Sequence, residues 1–243
     1  MKNRRDKFYA KHPKGPRVAP TKETMDQMLR AAKITLNSDQ IEQLWKYHQL
    51  IRKRNTDREL TRIVGFEPMV IKHYIDCMIL GRFWQFPSPI VDVGSGAGFP
   101  GIPLKILNPS LKMILAEPRP KRIEFLNEVI SELGLKDIEV FEHKVVSRSF
   151  TTPVQAVITR AVETMDKTAL RTSAALGMGG QLIFMKGPNA DEEIKEMKSR
   201  FGSAFSLTLD KAYRLPDTDH QRRLVIFTRT SEGSLQSSEQ HPE

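Results

Sequence analysis

The amino-acid sequence predicts an α/β fold in which a Rossmann-like, mostly parallel sheet is preceded by a small helical lobe. A β-branched apolar run at 90–93 passes through a glycine-rich turn into a helical pattern, which is typical of a buried parallel strand and its crossover. Helical patterns without strand-like runs fill residues 21–85. Six more strand-like runs bring the count of strands to seven: they are 112–116, 138–141, 154–158, 179–187, 205–213 and 223–228.

Length, charge and cysteine content limit the class of protein. The chain has 243 residues, which is enough for one large domain with an extension, and a formal net charge of +9. This basic balance indicates a polyanionic partner. Cys77 is the single cysteine, so neither a disulfide framework nor a cysteine-rich zinc site is expected. No apolar run approaches a membrane span and no signal peptide is visible, so we expect a cytoplasmic monomer with no bound metal and no membrane partner.

The two ends of the chain have the composition of disordered segments. Residues 1–20 carry seven Lys or Arg against the single acid Asp6, which predicts a disordered basic arm. Such an arm could contact nucleic-acid phosphates through salt-sensitive attraction, or it could serve only as a solubilising tail. Residues 231–243 are rich in Ser, Glu and Gln and predict a disordered end.

Residues 21–85 are expected to form the helical lobe. Thr21 precedes an amphipathic stretch, and Asn37 caps a longer one whose apolar side chains recur at helical spacing. A third helix is predicted from 67 to 82. His48 lies on the apolar face of the second helix, so we expect it to be a packed core residue.

The glycine-rich turn after the first strand organises the remaining core, residues 86–230. Gly94, Gly96 and Gly98 allow a sharp turn and present no Cβ to an approaching ligand. The helix that follows from about Phe99 directs free N–H groups and its positive end toward this turn. Strand, turn and helix therefore predict half of a site for a nucleotide-like cofactor.

Two cofactor classes fit the turn. Gly96-x-Gly98-x-x-Gly101 matches the dinucleotide pattern, with Glu117 as a ribose-binding acid at the end of the next strand. The same stretch also satisfies Asp92-x-Gly-x-Gly-x-Gly, the pattern of S-adenosylmethionine (SAM)-dependent methyltransferases. We favour SAM, because the dinucleotide interpretation leaves Asp92 without a role. A glycine turn that holds no ligand remains the structural alternative.

The stretch from Asp92 to Pro103, Asp-Val-Gly-Ser-Gly-Ala-Gly-Phe-Pro-Gly-Ile-Pro, resembles the signature of the bacterial 16S ribosomal RNA guanine-N7 methyltransferases, also called glucose-inhibited division protein B. The resemblance covers roughly residues 30–230. It implies a class I SAM-dependent methyltransferase fold with antiparallel last strands. It also implies SAM as the cofactor and 16S rRNA, naked or in a small-subunit assembly particle, as the partner.

Further motifs of this family recur in the helical lobe, with substitutions. Glu59-Leu-Thr and Lys72-His-x-x-Asp-Cys stand where the family shows Asn-Leu-Thr and Arg-His-x-x-Asp-Ser. His73 and Asp76 are three residues apart and share one helix face. They could hydrogen-bond across the cofactor pocket, or they could form a polar tie between the lobe and the core.

The chain around the second and third strands supplies further candidates. A carboxylate at Glu117 can accept both ribose hydroxyls. Lys121 and Arg122 match the family's Lys-Arg at the head of the next helix, and cations there suggest phosphate contact unless they form an ordinary solvated face. Beyond the third strand, Val145 and Val146 replace the family's acidic residues, so adenine would be held by backbone groups.

The resemblance also marks cations at the ends of later strands. Thr-Arg160-Ala-Val resembles the family's Ser-Arg-Ala-Phe at the carboxyl end of the fourth strand, where open α/β sheets bind ligands. Lys186 stands in the family's Lys-Gly, and Arg222 in a counterpart of Glu-Arg-His-Leu, with Arg223 at the histidine position. Arg160 is therefore the leading candidate for holding the RNA.

The chemistry of the acceptor atom is consistent with this resemblance. Methylation of cytosine C5 requires a cysteine nucleophile, and the Asn/Asp-Pro-Pro-Tyr/Phe loop of adenine-N6 methylases is missing from the sequence. Guanine N7 has an in-plane lone pair and no proton, so it needs no general base, and positioning supplies most of the rate. The alternatives are a methyltransferase for another RNA or a protein, a dinucleotide-dependent oxidoreductase, and an inactive binding module.

The expected site combines three groups of residues. The catalytic candidates are Arg160, Lys186 and His73. Those expected to hold the cofactor are Asp92, Gly94, Ser95, Gly96, Gly98, Phe99, Glu117, Val145, Val146 and Arg160. Those expected to hold RNA are Lys121, Arg122, Arg160, Lys186 and Arg222.

Overall fold

The computed structural model describes residues 19–146 and 149–231. Most of the basic arm (residues 1–18) and nearly all of the C-terminal tail (residues 232–243) lie outside the described residues, so both expectations of disorder stay predictions. Of the helices in the described ranges, none has both the length and the apolar character needed to cross a bilayer.

The core is one seven-stranded sheet in the order β3-β2-β1-β4-β5-β7-β6. The first five strands run parallel, and β7 pairs antiparallel with both β5 and β6. The strands are β1 Ile90–Val93, β2 Met113–Ala116, β3 Ile138–Phe141, β4 Val154–Arg160, β5 Leu176–Lys186, β6 Phe205–Arg214 and β7 Gln221–Arg229. The order reverses between β1 and β4, and ligands bind at such a reversal outside the carboxyl ends of the strands. The predicted α/β fold with antiparallel last strands is confirmed.

Helices cover both faces of the sheet. The helices are α1 Lys22–Ala31, α2 Ser38–Arg58, α3 Phe66–Met69, α4 Asp76–Met78, α5 Gly101–Leu107, α6 Pro120–Leu133, α7 Met165–Thr172 and α8 Asp191–Phe201. A π-helical stretch, Val70–Ile75, joins α3 to α4, and 3₁₀ turns occupy Ile79–Arg82 and Ser173–Ala175. One apolar core joins the first six helices to one face of the sheet, and a second lies between the other face and α7 and α8.

Local sequence explains how α2 begins and docks on the core. Asn37 accepts a hydrogen bond from Gln40 N at 2.9 Å, and the Gln40 side chain accepts one from Asn37 N at 2.9 Å, so a capping box closes the helix start. The Gln40 amide also donates to the carbonyls of Ile106 and Leu107 at the end of α5. His48 is 1% exposed, as its apolar helix face predicts.

Two helical segments differ from the sequence predictions. The predicted helix at 67–82 contains a π-helical stretch at Val70–Ile75, and such stretches often lie at functional sites. The residue pattern at 165–172 did not predict the helix α7. Its packed face includes Asp166, Thr168 and Thr172, whose polarity hides the apolar periodicity of a buried helix.

Candidate active site

The glycine-rich turn between β1 and α5 is fixed by its own backbone. Gly94, Gly96 and Gly98 have φ values of +72°, +61° and +99°, a region that side chains disfavour. At Gly94 the loop after β4 also approaches closely, because an added Cβ would lie 2.7 Å from Val162 Cγ2. Val162 is 41% exposed and thus forms an open apolar wall above the turn.

Asp92, the acid at the end of β1, is completely buried beneath this turn. Its Oδ2 accepts the backbone N–H of Gly101 at 2.9 Å, and Ser95 Oγ donates to the Asp92 carbonyl. Burial raises the pKa of Asp92 to about 7, although the bond from Gly101 opposes that shift. Asp92 Oδ1 has no hydrogen-bond partner among the described residues. A buried carboxylate oxygen without a partner is costly and marks a place where a ligand donor would fit.

The position of Asp92 corrects one argument made from the sequence. The carboxylate bonds Gly101 N at the start of α5, so it has a structural role whichever cofactor is bound. Asp92 therefore does not distinguish SAM from a dinucleotide. The same bond already engages the first helical amide, which the sequence analysis had left free for a ligand anion.

Glu117, at the end of β2, faces the glycine-rich turn. Its Oε2 accepts from Gly96 N and its Oε1 from Arg119 N, both at 3.0 Å. The Arg122 guanidinium lies 3.6 Å from the same carboxylate. Glu117 is only 3% exposed, so these donors fix its direction at the edge of a cavity.

That cavity has a volume of about 280 Å³ and lies at the carboxyl ends of β1, β2 and β4. It brings together four residues predicted to hold the cofactor, which are Gly94, Glu117, Val145 and Arg160. The other predicted residues surround it or lie beneath it. Ser95 is buried under the turn, Val146 is exposed outside the cavity, and Phe99 packs in the core.

Arg160, His73 and Phe99 form a compact stack between β4 and the helical lobe. The rings of His73 and Phe99 are stacked with centroids 4.2 Å apart, and the Arg160 guanidinium lies 5.2 Å from the Phe99 centroid. Arg160 Nη1 donates to the Lys72 carbonyl at 3.0 Å, and Nη2 donates to His73 Nδ1 at 3.0 Å. Arg160 is therefore held by the lobe, and its contact with RNA remains a prediction.

The protonation state of His73 follows from these contacts. Burial, followed by the nearby Arg160, lowers the pKa of His73 to about 3, so the ring is neutral at physiological pH. Because Arg160 can only donate, His73 Nδ1 accepts, and Nε2–H donates to Thr61 Oγ1 at 2.9 Å. Both ring nitrogens are engaged, so His73 orients its neighbours in this state and has no free nitrogen for proton transfer.

Lys186 does not join this cluster. Its Nζ donates to the Glu163 carbonyl at 2.9 Å and to Glu193 Oε2 at 2.7 Å, while Glu193 also accepts from Met165 N. Alternation along β5 places Lys186 on the face of Phe184, which packs with α7 and α8. The sequence grouped Lys186 with Arg160 and His73, but the sheet separates them.

The cations near the cavity include residues that were not predicted from the sequence. Arg122 lies close to Gly96 and donates to the Glu59 carbonyl, whereas Lys121 is exposed and contacts the Asp57 carbonyl. Arg119, Lys144 and Arg171 also line the cavity. Arg119 could have been found from its place beside Glu117 and Lys144 from its place after β3, but Arg171 lies on the unpredicted helix α7.

Comparison with known proteins gives one consistent family. A family model described as rRNA small subunit methyltransferase G matches residues 40–214. Ribosomal RNA small subunit methyltransferase G 2 of Syntrophobacter fumaroxidans is 44% identical over 215 residues, which cover 88% of this chain and 43% of that protein. The protein of the same name from Bdellovibrio bacteriovorus is 37% identical over 192 residues, which cover 79% of this chain and 75% of that protein. The chain thus spans less than half of the first relative and three quarters of the second.

A solved structure with a similar fold is the ribosomal protein L11 methylase from Lactobacillus delbrueckii subsp. bulgaricus. The TM-score is 0.51 at 15% identity, over 66% of this chain and 79% of that chain. At this identity the likeness shows a shared fold and nothing about substrate.

Proposed function

The chain belongs to the rRNA small subunit methyltransferase G family, and from that membership and the geometry of its site we propose that it transfers a methyl group from SAM to N7 of a guanine in 16S rRNA. The family resemblance stated from the Asp92 to Pro103 signature is confirmed, as is the class I methyltransferase fold. The proposal covers the cofactor, the acceptor atom and the RNA, because the relatives' names specify only a small-subunit rRNA methyltransferase.

The observation that carries the cofactor proposal is the pairing of Glu117 with the glycine-rich turn across one cavity. We assign the two ribose hydroxyls to the Glu117 carboxylate and adenine to the backbone beside Val145, since both residues line this cavity. Asp92 Oδ1 is buried and has no donor among the described residues, so it can accept one from a bound cofactor. These residues fit SAM, which supplies an electrophilic methyl group when bound.

The protein's own contribution to the reaction is positioning. Guanine N7 carries a lone pair, so no side chain has to remove a proton. The neutral, fully bonded His73 is consistent with this requirement. Burial also raises the pKa of the Cys77 thiol, which argues against a cysteine nucleophile of the kind that cytosine C5 would need.

We assign RNA binding to cationic residues in and around the cavity. Arg119 and Lys144 are exposed and line the cavity, Arg122 lies beside the turn, and Lys121 is exposed next to Arg122 in the sequence. Contacts of this kind hold phosphates and fix the orientation of the substrate without reading its sequence. The substrate is either naked 16S rRNA or a small-subunit particle, and we place the enzyme in the cytoplasm, where both occur.

The test is transfer of labelled methyl from SAM to small-subunit RNA and to small-subunit particles from cells that lack the activity. Reductive aniline cleavage, which cuts at 7-methylguanine, then maps the product. One new cut supports the proposal and identifies the base. Label without a cut would show that the methyl acceptor is an atom other than guanine N7. Binding of SAM without any transfer to either substrate would contradict the assignment to 16S rRNA.

A further inference from the structure

A buried carboxylate of the helical lobe is contacted by three side chains from the sheet. Asp76, on α4, is 2% exposed. Its Oδ2 lies 3.5 Å from Arg160 Nη1 and 3.3 Å from Arg222 Nε, and its Oδ1 accepts from Tyr213 Oη at 3.3 Å. Asp76 with Arg160, Arg222 and Tyr213 is called the Asp76 cluster below.

The cluster joins four elements that are distant in sequence. Arg160 ends β4, whereas Tyr213 and Arg222 stand directly opposite each other on β6 and β7. Asp76 is therefore the point at which the lobe meets β4 and the antiparallel edge of the sheet. Two guanidinium groups share this single carboxylate, so positive charge remains in excess at the site edge.

Asp76 contributes differently to the two arginines. Arg160 keeps its bonds to the Lys72 carbonyl and His73 Nδ1 if the carboxylate is removed. Among the described residues, the only other hydrogen bond of the Arg222 guanidinium is to the carbonyl of its neighbour Gln221. The direction in which Arg222 points thus depends chiefly on Asp76.

Attachment of the lobe does not require this cluster. Gln40 bonds the end of α5, the Tyr47 hydroxyl donates to the Ala97 carbonyl, and Arg54 forms a bidentate pair with Glu128 on α6. None of these ties involves Asp76 or its partners, and all are shorter than the contacts of Asp76 with the two arginines. The lobe therefore has attachments that are independent of the Asp76 cluster.

We propose that Asp76 is a positioning residue, which aims the guanidinium group of Arg222 at the phosphates next to the target guanine. The inference rests on the proposed function, since it needs an RNA substrate at this edge. It makes the helical lobe part of the catalytic apparatus, because the lobe supplies the group that orients Arg222 on the sheet.

The test compares Asp76→Asn with the wild type in steady-state methylation, with rates expressed per SAM-binding site. Asparagine keeps the size and one acceptor but removes the charge. We expect kcat to fall at least tenfold, on the order expected for a misaligned substrate. KM for RNA should change less than about threefold, since both cations remain available for phosphates, and the Kd for SAM should not change.

Asp210→Asn is the matched control. Asp210 on β6 binds Arg223, the residue next to Arg222 on β7, through a bidentate pair that does not touch the Asp76 cluster. This variant removes an Asp–Arg pair from the two strands that carry Tyr213 and Arg222, and its kcat should equal that of the wild type. An equal loss of kcat in both variants would show a general effect on the sheet and overturn the proposal.

A double-mutant cycle separates positioning from a structural role. If Asp76 acts through Arg222, Asp76→Asn and Arg222→Ala should combine to much less than the product of their separate losses in kcat. Multiplicative losses would contradict the proposal. If Asp76→Asn does not fold, Arg222→Lys takes its place. Lysine keeps the charge but lacks the guanidinium N–H that Asp76 orients, so kcat should fall while KM for RNA is retained. A wild-type kcat in Arg222→Lys would overturn the proposal.

The activity of the wild-type enzyme separates a failure of the proposed function from a failure of the role assigned to Asp76. A wild-type enzyme that methylates no guanine at N7 would overturn the proposed function. A wild-type enzyme that does so, beside an Asp76→Asn variant with unchanged kcat, would overturn the positioning role of Asp76 alone.

Discussion

Replacing Glu117 with glutamine should weaken the binding of SAM and of S-adenosylhomocysteine to the same extent. The carboxylate is 3% exposed and accepts backbone N–H groups of Gly96 and Arg119, both at 3.0 Å. A glutamine amide has one oxygen, so its NH₂ group must face one of these two donors. The substitution therefore disturbs the glycine-rich turn and also removes an acceptor for the ribose hydroxyls.

The size of the effect follows from the kind of bond that is lost. A hydrogen bond to a charged acceptor contributes about 1.5–3 kcal/mol. Loss of one such bond to the ribose corresponds to a Kd raised about 10- to 150-fold. Ribose is common to SAM and S-adenosylhomocysteine, so both affinities should fall together.

Isothermal titration calorimetry with each ligand measures this effect. Glu139→Gln is the control, because Glu139 is an exposed glutamate on the neighbouring strand β3, and its affinities should be those of the wild type. Unchanged affinity of the Glu117 variant would refute the assignment to the cofactor. Weaker binding of SAM alone would show that the carboxylate acts on the sulfonium charge and not on the ribose.

Four further predictions follow from single residues. The raised pKa of Asp92, about 7, means that this carboxyl contributes stability that is complete below its ordinary pKa of 3.8 and is lost as the pH rises through 7. Urea unfolding should show this decline between about pH 4 and pH 7 in the wild type and not in Asp92→Asn. Tyr47→Phe leaves the buried Ala97 carbonyl without its donor, so the free energy of unfolding should fall by about 1–3 kcal/mol, and an unchanged denaturation midpoint would contradict that contact. Arg160→Ala should abolish methyl transfer while the Kd for SAM stays within a few-fold, and a large loss of SAM binding would place Arg160 on the cofactor instead. Lys121→Ala should reduce the slope of log K for RNA against log salt by about 0.7–0.9, as measured by filter binding, and an unchanged slope would mean that this exposed lysine touches no phosphate.

The sequence was most informative where function is built from contiguous residues. The strand, glycine-rich turn and helix from Ile90 to Leu107 lie where their pattern predicted, because backbone conformation there is set by local residue types. Glu117 was placed correctly at the strand end facing the turn, since the ends of adjacent parallel strands meet at one edge. The asparagine cap of α2 is likewise local, and so is the end of α6 at Gly134, whose left-handed backbone (φ +62°) favours glycine.

The sequence was least informative about which side chains of separate elements come into contact. It grouped Lys186 with Arg160, but alternation places Lys186 on the α7 and α8 side of the sheet, where Glu193 binds it. It also gave no sign of Arg171, because α7 packs through polar side chains that conceal the helix.

The sequence by itself determined the fold class, the family and the glycine-rich turn, because each depends on residue types at fixed local spacing. Only the tertiary structure decided the partners of Asp76, the neutral tautomer of His73 and the inward direction of Arg160. Those states depend on burial and on charges brought together from the lobe, β4 and the β6–β7 pair. Residues separated by many tens of positions meet there only after the sheet has formed, and the electrostatics of the site are set at that point.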